Sequence, residues 1–313
     1  MDLSVSIVNH SNRELLDGCL ASVRAGAGEL DFETIVIDNV SGDGSAAMAR
    51  EKYPEVILIE NEKRLGFAAN QNQGLRRAKG EFVVLLNNDT VVGPGALEKL
   101  VAFMRANPHV GLAGPRLVNP DGSLQESCYR TPTLGVLLYD ALFISSLFPG
   151  HPAFGGFKRW AHDSVREVPS ISGACVMARK AAADEVGPLD ERFFMYFEDH
   201  DWCLRFRRAG WKICFVPDAR VVHYGGGSDG LLGHDRFDMF YRGMNLFYEK
   251  HYGRASLAAV AALNAAGAAL RIAGWGALAP FSRDARVRFR ERTPYFKRRI
   301  AWYLTGEGKK KRN

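Results

Sequence analysis

The first 118 residues alternate between short, continuous apolar runs and amphipathic stretches. Runs rich in β-branched and aliphatic residues predict strands at 3–8, 32–37, 56–59, 82–86 and 111–118. Apolar residues three and four positions apart predict helices between them, at 13–25, 45–52, 66–78 and 94–106. Strands without polar alternation are typical of a sheet covered on both faces. The pattern therefore predicts an α/β fold with a mostly parallel, Rossmann-like central sheet flanked by helices.

The chain from 119 to 250 has a weaker pattern. The apolar stretch 134–148 predicts a helix or a flap, and 150–167 reads as a loop. Shorter segments predict the remaining elements: a strand at 170–177, helices at 180–186 and from about 198 to 208, a strand at 212–216 and an aromatic-rich helix at 235–250. We interpret residues 1–250 as one domain whose two halves, 1–118 and 119–250, meet near residue 118.

The last segment, 251–313, differs in character and predicts a helical, basic extension. Ser256–Leu270 is mostly alanine and aliphatic, but Asn264, Arg271, two glycines and a proline interrupt the run. A membrane span needs about 20 uninterrupted apolar residues, so an interfacial amphipathic helix fits better. A helical hairpin packed on the domain is the equal alternative.

Charge is unevenly distributed along the chain. From Arg283 to Asn313 there are 12 Lys/Arg and 3 Asp/Glu, a net charge of +9, so the rest of the chain carries −3 of the total of +6. A basic, aromatic tail suits an anionic membrane surface better than nucleic acid, which we do not expect as a partner.

The five cysteines are scattered without a C-x-x-C pair, and the N-terminus has no basic segment before an apolar one. Both features predict a cytoplasmic protein, and the basic tail then predicts a peripheral position on the inner face of the membrane. The sequence also lacks G-x-G-x-x-G, a Walker loop, a nucleophile elbow and zinc-ligand spacing. These absences disfavour dinucleotide, ATP, serine-hydrolase and zinc chemistry.

Two aspartates end apolar strands of the predicted sheet. Asp38 and Asp89 follow 32–37 and 82–86, and ligands of open parallel sheets bind beyond the carboxyl ends of the strands. Asp89 could bind a divalent cation on a diphosphate, since phosphate and water supply the other ligands. Asp38 could accept hydrogen bonds from a nucleotide. The alternatives are a turn cap for Asp89 and an Asx-turn with Ser41 for Asp38.

Two further segments combine glycine with polar residues. In the loop 61–70, Gly66 permits close backbone approach at a helix N-terminus, which suits an anion. His223 ends a strand before the glycine-rich residues 225–228 and could contact a metal or a phosphate. A structural histidine is the alternative.

The densest group of acids is Glu198, Asp199 and Asp201, directly after the aromatic run 193–197. A helix from 198 places Asp199 on the inward face, because Trp202 and Cys203 follow it by three and four residues. Asp201 is four residues before Arg205 and predicts an ion pair. Glu198 lies in the first turn, where the helix dipole favours an acid. A purely capping role for these acids is the alternative.

Seven ordered motifs give the chain a family resemblance. They are Ser4–His10, Val36–Ser45, Asn61–Asn70, Leu85–Thr90, Ser172–Ala174, Phe194–Asp201 and Val222–Ser228. From residue 3 to about 250, the chain resembles the family 2 inverting glycosyltransferases, and within them the bacterial rhamnosyltransferase-like branch. The tail from about 255 lies outside the resemblance.

This resemblance implies a GT-A fold, with a nucleotide-binding half at 1–118 and an acceptor-binding half at 119–250, and a divalent cation, Mg²⁺ or Mn²⁺. Asp199 would be the catalytic base, Asp89 and His223 would contact the metal, and Glu198 and Trp202 would contact the acceptor. Residues that would contact the nucleotide sugar are Asn9, Asp38, Asn61, Gly66, Asn70, Asn88, Gly173 and Ala174. Asn87 replaces the first acid of the D-x-D motif, which leaves Asp89 as its only carboxylate.

The function implied is transfer of a sugar to a saccharide or a polyprenyl-diphosphate-linked acceptor in bacterial cell-surface polysaccharide synthesis. Rhamnose from dTDP-rhamnose is the favoured donor, and the resemblance is compatible with a homodimer. Galactofuranose, glucose or N-acetylhexosamine donors are alternatives, as is an inactive protein that binds nucleotide sugars. A nucleotidyltransferase is disfavoured, because residues 9–12 lack a glycine-rich basic loop.

Overall fold

A computed structural model describes residues 1–151, 153–157, 160–225 and 236–305. The strands are β1 Leu3–Asn9, β2 Phe32–Asp38, β3 Ile57–Glu60, β4 Phe82–Asn87, β5 Thr90–Val92, β6 Val110–Val118, β7 Cys128–Tyr129, β8 Arg166–Glu167, β9 Ser170–Ile171, β10 Cys175–Arg179 and β11 Lys212–His223. The helices are α1 Arg13–Ala27, α2 Ser45–Lys52, α3 Phe67–Arg77, α4 Ala96–Ala106, α5 Leu134–Ala141, α6 Ile144–Leu147, α7 Lys180–Val186, α8 Glu198–Arg208, α9 Arg236–Tyr252, α10 Ser256–Leu278 and α11 Arg283–Leu304.

A central sheet with the order β3-β2-β1-β4-β10-β6-β11-β5 organises the fold, and β8 pairs with β11 at its side. The first four strands are parallel, so their carboxyl ends lie at the same edge. The predicted α/β class is confirmed, and each strand predicted in the first 118 residues is present. The apolar runs form these strands because both faces of the sheet are covered.

Strand β10 changes the direction of the sheet. It runs antiparallel to both β4 and β6, with Cys175 opposite Leu86. Its amino end therefore lies beside the carboxyl end of β4. The residues just before it, Gly173 and Ala174, are thus placed next to the polar residues that follow β4.

The main hydrophobic core lies between the sheet and the helices α1 and α4. It includes the fully buried Leu3, Leu16, Phe82 and Leu100, and the buried stripe of α1 contains the apolar positions that predict this helix. Burial of such side chains stabilises the fold by about 1.5–3 kcal/mol each. The core holds the strand ends in fixed positions.

The chain divides into two compact units, one of residues 1–130 and 161–239 and one of 131–160 and 240–313. This division differs from the predicted boundaries at 118 and 250, because 131–160 packs with the C-terminal helices. Within the second unit, Tyr248 donates its hydroxyl to Thr133 O at 3.0 Å, and the Arg271 guanidinium donates to Asp140 O at 2.7 Å. The predicted helix over 134–148 is two helices, α5 and α6, separated where Phe143 has a φ of 62°.

Helices α10 and α11 form a helical hairpin within the second unit. Trp275 and Phe296 pack with ring centroids 5.5 Å apart, and Arg299 bonds the Asn264 side chain. The predicted interruption of the apolar stretch does not break the helix, because α10 is continuous over 23 residues. By length and composition, it alone among the described helices could cross a membrane.

Candidate active site

The carboxyl ends of β1, β2 and β4 bring together Asn9, Asp38 and Asn88, as the strand pattern predicts. Asn88 donates its amide to Asn9 Oδ1 at 2.7 Å, and Asn9 donates to Asp38 Oδ1 at 3.3 Å. All three side chains are at most 5% exposed. These hydrogen bonds hold the three strand ends as one polar cluster.

Asp38 also forms the Asx-turn that its sequence context allows. Its Oδ2 accepts the Ser41 backbone N–H at 2.9 Å, and the Ser41 hydroxyl accepts from Asn9 at 3.1 Å. Both carboxylate oxygens therefore have protein donors. The turn gives Asp38 a structural function, and its contact with a nucleotide stays a prediction.

The loop 61–70 is held by its own asparagines. Asn61 donates to Asn70 Oδ1 at 2.6 Å, and Asn70 donates to Gly66 O at 2.9 Å while being fully buried. The Asn70 side chain therefore supports the loop, and its contact with the donor stays a prediction.

Gly66 does permit a close approach, but of another protein segment. A Cβ at this position would lie 2.8 Å from both Cα and the carbonyl oxygen of Phe194. The next N–H, of Phe67, donates to Phe194 O at 2.7 Å. The first N–H of α3 is thus bonded to the aromatic run before Asp199, and the expected contact of Gly66 with an anion stays a prediction.

Asp89 and His223 are brought together by the pairing of β5 with β11, in which His223 lies opposite Thr90. The Asp89 Oδ1 to His223 Nε2 distance is 3.2 Å. On the other side of the ring, Nδ1 lies 2.6 Å from Gln125 Oε1, while the Gln125 amide donates to Asn119 Oδ1 at 2.9 Å. Nδ1 therefore carries the hydrogen in the neutral ring, and the Nε2 lone pair faces the carboxylate.

Two facing acceptors repel each other unless a proton or a cation lies between them, so this pair suits a divalent ion. Ligand atoms about 2.1 Å from an octahedral ion are about 3 Å apart, close to the spacing found here. The Gln125 contact is the type of support that orients metal-binding histidines. Among the described residues, no group of three or more His, Cys, Asp or Glu could hold a metal. The protein would therefore provide two ligands, and a bound diphosphate and water would provide the others.

Asp199 begins the second half of the site, in the first turn of α8. Its Oδ2 accepts the Gly173 N–H at 3.2 Å, and its Oδ1 accepts the His200 N–H at 2.7 Å. A Cβ on Gly173 would lie 3.5 Å from the Asp199 Cβ. The neighbouring Ala174 accepts the Asn87 N–H at 2.9 Å. Gly173 and Ala174 therefore connect Asp199 to the strand end that carries Asp89.

The other carboxylates of α8 have different environments. Asp201 is fully buried and forms the predicted ion pair, with Arg205 Nε 2.9 Å from its Oδ2. The Arg205 guanidinium also donates to Val186 O at 3.0 Å and to Pro188 O at 2.7 Å. The ion pair that the spacing of Asp201 and Arg205 predicts is thus confirmed.

Trp202 is not available to an acceptor. The indole is 2% exposed, donates to Gly187 O at 3.0 Å and packs edge-on against Phe206. This corrects the expected acceptor contact, because the apolar stripe of α8 includes Trp202 and faces the core.

Glu198 is a buried acid with one unpaired carboxyl oxygen among the described residues. It is 7% exposed, and its Oε2 has no hydrogen-bond partner among the described residues. Burial, and secondly the charge of Asp199, raise the pKa of Glu198 to about 8. The two preceding residues, Tyr196 and Phe197, both have φ near 70°, which is strained for residues with side chains.

Sequence reasoning missed Gln125, Tyr129 and Ser170. Ser170 bonds His200 Nδ1 at 2.8 Å, and the Tyr129 ring packs edge-on against His200. These residues lie in short strands and irregular segments, where neither hydrophobic period nor motif marks a single polar residue. Gly226 and Ser228 of the last motif lie outside the described residues.

Comparisons with known proteins identify the family of the chain. Residues 4–187 match the model of glycosyl transferase family 2. The N-acetylglucosaminyl-diphospho-decaprenol L-rhamnosyltransferase of Mycobacterium tuberculosis (strain ATCC 25618 / H37Rv) is 32% identical over 240 residues, covering 73% of this chain and 78% of the relative.

Solved structures show the same fold. The mannosyltransferase PcManGT from Pyrobaculum calidifontis, in complex with GDP-Man and Mn²⁺, aligns with a TM-score of 0.59 and 18% identity over 96% of this chain and 86% of its own. TarS 1-349 of S. aureus, in complex with UDP-GlcNAc, aligns with a TM-score of 0.54 and 15% identity. The alignment covers 98% of this chain and 92% of the TarS chain. The family match over residues 4–187 and the curated relative at 32% identity agree with the GT-A fold, and the chain therefore belongs to glycosyl transferase family 2, of the rhamnosyltransferase-like type.

Proposed function

We propose that this glycosyltransferase moves a sugar from a nucleotide-diphosphate donor to an acceptor hydroxyl with inversion at the anomeric carbon, and that Asp199 is the general base. The observation that carries the proposal is the backbone link between the two ends of the site. Gly173 N lies 3.2 Å from Asp199 Oδ2, and Ala174 O lies 2.9 Å from Asn87 N. A carboxylate and a cation-binding pair are thus attached to adjacent segments. Single displacement needs one group on each side of the anomeric carbon.

The reaction consists of one displacement. The acceptor oxygen bonds to the anomeric carbon while its proton passes to a carboxylate oxygen of Asp199. The bond from that carbon to the diphosphate oxygen breaks, and its electron pair leaves with the diphosphate. The transition state resembles an oxocarbenium ion, as in glycoside hydrolysis. The N–H groups of Gly173 and His200 keep the Asp199 carboxylate oriented.

A divalent cation, Mg²⁺ or Mn²⁺, when bound neutralises the charge that develops on the leaving diphosphate. Asp89 and His223 would hold it, and Gln125 keeps His223 in the binding tautomer. The proposed contacts of the nucleotide sugar remain Asn9, Asp38, Asn61, Gly66, Asn70, Asn88, Gly173 and Ala174. Asp38 and Asn9 act in the proposal as one hydrogen-bonded unit.

Glu198 is the proposed acceptor contact. Because its carboxyl is buried and lies beside Asp199, it keeps its proton near neutral pH. A protonated carboxyl can donate a hydrogen bond to an acceptor oxygen, whereas a second carboxylate would repel Asp199. Glu198 then orients the hydroxyl from which Asp199 takes the proton.

The relative from Mycobacterium supports rhamnose as the sugar and a polyprenyl-diphosphate-linked saccharide as the acceptor, in cell-surface polysaccharide synthesis. That relative is an L-rhamnosyltransferase whose name specifies an N-acetylglucosaminyl-diphospho-decaprenol acceptor. Galactofuranosyl, glucosyl and N-acetylhexosaminyl donors are the competing choices for the same site.

A donor screen tests the proposal directly. We expect nucleotide release from one donor, dTDP-rhamnose first, to require Mg²⁺ or Mn²⁺ and a lipid-linked acceptor. Asp199→Asn should reduce transfer by at least about a thousandfold, since it removes the base, while Asp184→Asn, an exposed acid on α7, should have no effect. The anomeric proton of the product, observed by NMR, should report inversion. Equal transfer by Asp199→Asn and the wild type would remove Asp199 as the base.

We also propose that the second unit lies on an anionic membrane surface. Within it, Phe281 is 86% and Leu304 76% exposed, at the two ends of α11, and the arginines and lysines between them are mostly exposed. Apolar residues flanking a basic helix are typical of interfacial binding. Removal of 283–313 should weaken binding to phosphatidylglycerol liposomes at low salt. Unchanged liposome binding would contradict this proposal.

A further inference from the structure

A polar cavity of about 460 Å³ is present in the first unit, and its lining contains none of the carboxylates of the candidate active site. Three cationic side chains line it, Lys99, Arg116 and Arg220, with Asp218 as the single carboxylate in the lining. The sequence patterns above mark none of these residues, and the proposed transfer reaction uses none of them.

The two arginines are held side by side by the sheet. In the parallel pairing of β6 with β11, Arg220 is the register partner of Arg116, so their Cα atoms are about 5 Å apart. Like charges in such positions destabilise a sheet. No carboxylate of the described residues lies within ion-pairing distance of either guanidinium, and Lys99 donates only to the carbonyl oxygen of Asp218, at 3.2 Å. The cavity therefore has a net positive charge that the described residues do not neutralise.

A strand irregularity and two glycines in the surrounding backbone keep the cavity open. The register of β11 shifts between Val216 and Arg220, which places Pro217 and Asp218 at the rim. Gly93 donates its N–H to Arg220 O at 2.9 Å, and a Cβ on Gly93 would lie 2.7 Å from that oxygen. Gly122, with a φ of 83°, closes a turn whose Cβ would lie 3.6 Å from an Arg220 guanidinium nitrogen. A bulge and two glycines thus keep both arginines facing one open volume.

The turn at Gly122 also connects the cavity to the metal-binding end of the active site. Gly122 N–H donates to Asn119 O at 2.8 Å, and the Asn119 side chain accepts from Gln125, which bonds His223. Along β11 itself, His223 follows Arg220 by three residues, a rise of about 10 Å. An occupant of the cavity would therefore contact the segment that orients His223.

We propose that this cavity is an anion site that binds a phosphate or diphosphate group through the paired guanidinium groups of Arg116 and Arg220. Two planar guanidinium groups match phosphate oxygens with bidentate hydrogen bonds, and Lys99 adds a point charge. The group can belong to a soluble molecule or to a lipid headgroup, and both present the same chemistry. The inference goes beyond the proposed function, because it assigns a second site outside the transfer reaction.

Pyrophosphate binding to the full chain, measured by calorimetry in EDTA without divalent cations, tests the site. We expect wild-type binding to be detectable below about 1 mM and Arg116→Gln/Arg220→Gln to weaken it at least about tenfold. The paired lysine variant should give an intermediate affinity, because charge remains while the bidentate geometry is lost. Arg77→Gln, an exposed arginine on α3, and Asp89→Asn, in the donor site, should bind as the wild type does.

Vesicle binding distinguishes a phosphate of a lipid headgroup from a phosphate of a soluble molecule. A parallel measurement uses phosphatidylcholine vesicles with and without phosphatidic acid. Loss of vesicle binding alone in the glutamine variant assigns a lipid headgroup, and loss of pyrophosphate binding alone assigns a soluble ligand. Wild-type affinity for both in the glutamine variant overturns the site, as does loss of pyrophosphate binding only in Asp89→Asn. Transfer activity lost in Asp199→Asn is a separate readout, so failure of either proposal leaves the other testable.

Discussion

The two ends of the active site differ in how their charges are held. At the donor end, each oxygen of Asp38 accepts a hydrogen bond, and Asp89 faces the ring of His223 at 3.2 Å. At the acceptor end, Glu198 is buried with Oε2 unbonded among the described residues, behind the strained backbone of Tyr196 and Phe197.

This difference follows from the chemistry assigned to each end. Charge that develops on a leaving diphosphate is best stabilised by groups that are already oriented, and hydrogen bonds orient Asp38 and His223 at the proposed donor end. At the proposed acceptor end, burial raises the pKa of the Glu198 carboxyl, whereas the Asp199 side chain beside it is only partly buried. Strain and an unsatisfied group are tolerated where function requires them.

Removal of the Asp89 carboxylate should have the largest effect on transfer activity, because it takes away one of the two proposed metal ligands. Asp89→Ala leaves one protein ligand for the metal, so we expect the rate of transfer to fall by about a hundredfold to a thousandfold. This loss corresponds to the several kcal/mol by which a metal stabilises the transition state. Gln125→Ala, which acts through His223, should lower Mn²⁺ affinity about tenfold to a hundredfold. Electron paramagnetic resonance of Mn²⁺ with dTDP measures the binding. Unchanged Mn²⁺ affinity in Asp89→Ala would show that the metal is held elsewhere.

Replacement of Glu198 by glutamine tests the raised pKa of this carboxyl through the pH dependence of stability. Because the folded pKa of Glu198 is raised to about 8, the folded state binds more protons than the unfolded state above the unfolded pKa. The wild type should therefore lose stability as pH rises from about 4.5 towards 8, and Glu198→Gln should remove this loss. At pH 7 we expect Glu198→Gln to be more stable by up to about 3 kcal/mol, and at pH 4 the two should be equal.

Transfer activity distinguishes a protonated Glu198 carboxyl that donates a hydrogen bond from a charged Glu198 carboxylate. Glu198→Gln should keep transfer within about threefold of the wild type at pH 7, while Glu198→Ala should lose about tenfold or more. The decline of wild-type activity near pH 8 should be absent in Glu198→Gln. Equal losses in the glutamine and alanine variants would contradict a proton-bearing Glu198.

The contact of Gly66 with Phe194 joins the two ends, and its disruption has the smallest expected effect. Gly66→Ala forces a Cβ to within 2.8 Å of the Phe194 backbone, so the free energy of unfolding should fall by about 1–3 kcal/mol. Gly18→Ala, exposed in α1 with open space around it, should instead raise it by about 0.5–1 kcal/mol. Urea denaturation of both variants measures the difference. Equal stability of the two variants would show that the segments can separate without cost.

The pattern of the sequence predicted much of the first unit. Continuous apolar runs and helical spacing predicted β1 to β4 and α1 to α4, because these elements have local periods and a common core. The ion pair of Asp201 with Arg205 was also predicted, since it needs only helical geometry. Ordered motifs indicated the family and marked Asp89, Asp199 and His223.

Only the tertiary structure decided which residues of the family motifs are exposed and which are buried. Asn70 and Trp202 lie within motifs, yet the packing of α3 and α8 buries both of them. The pairs Asp89–His223 and Arg116–Arg220 each join residues about a hundred or more positions apart, and only strand register sets such contacts. By itself, the sequence determined the elements, the family and the candidate residues, because these depend on local period and order. Burial, register and the protonation of Glu198 depend on distant segments that meet only in the folded chain.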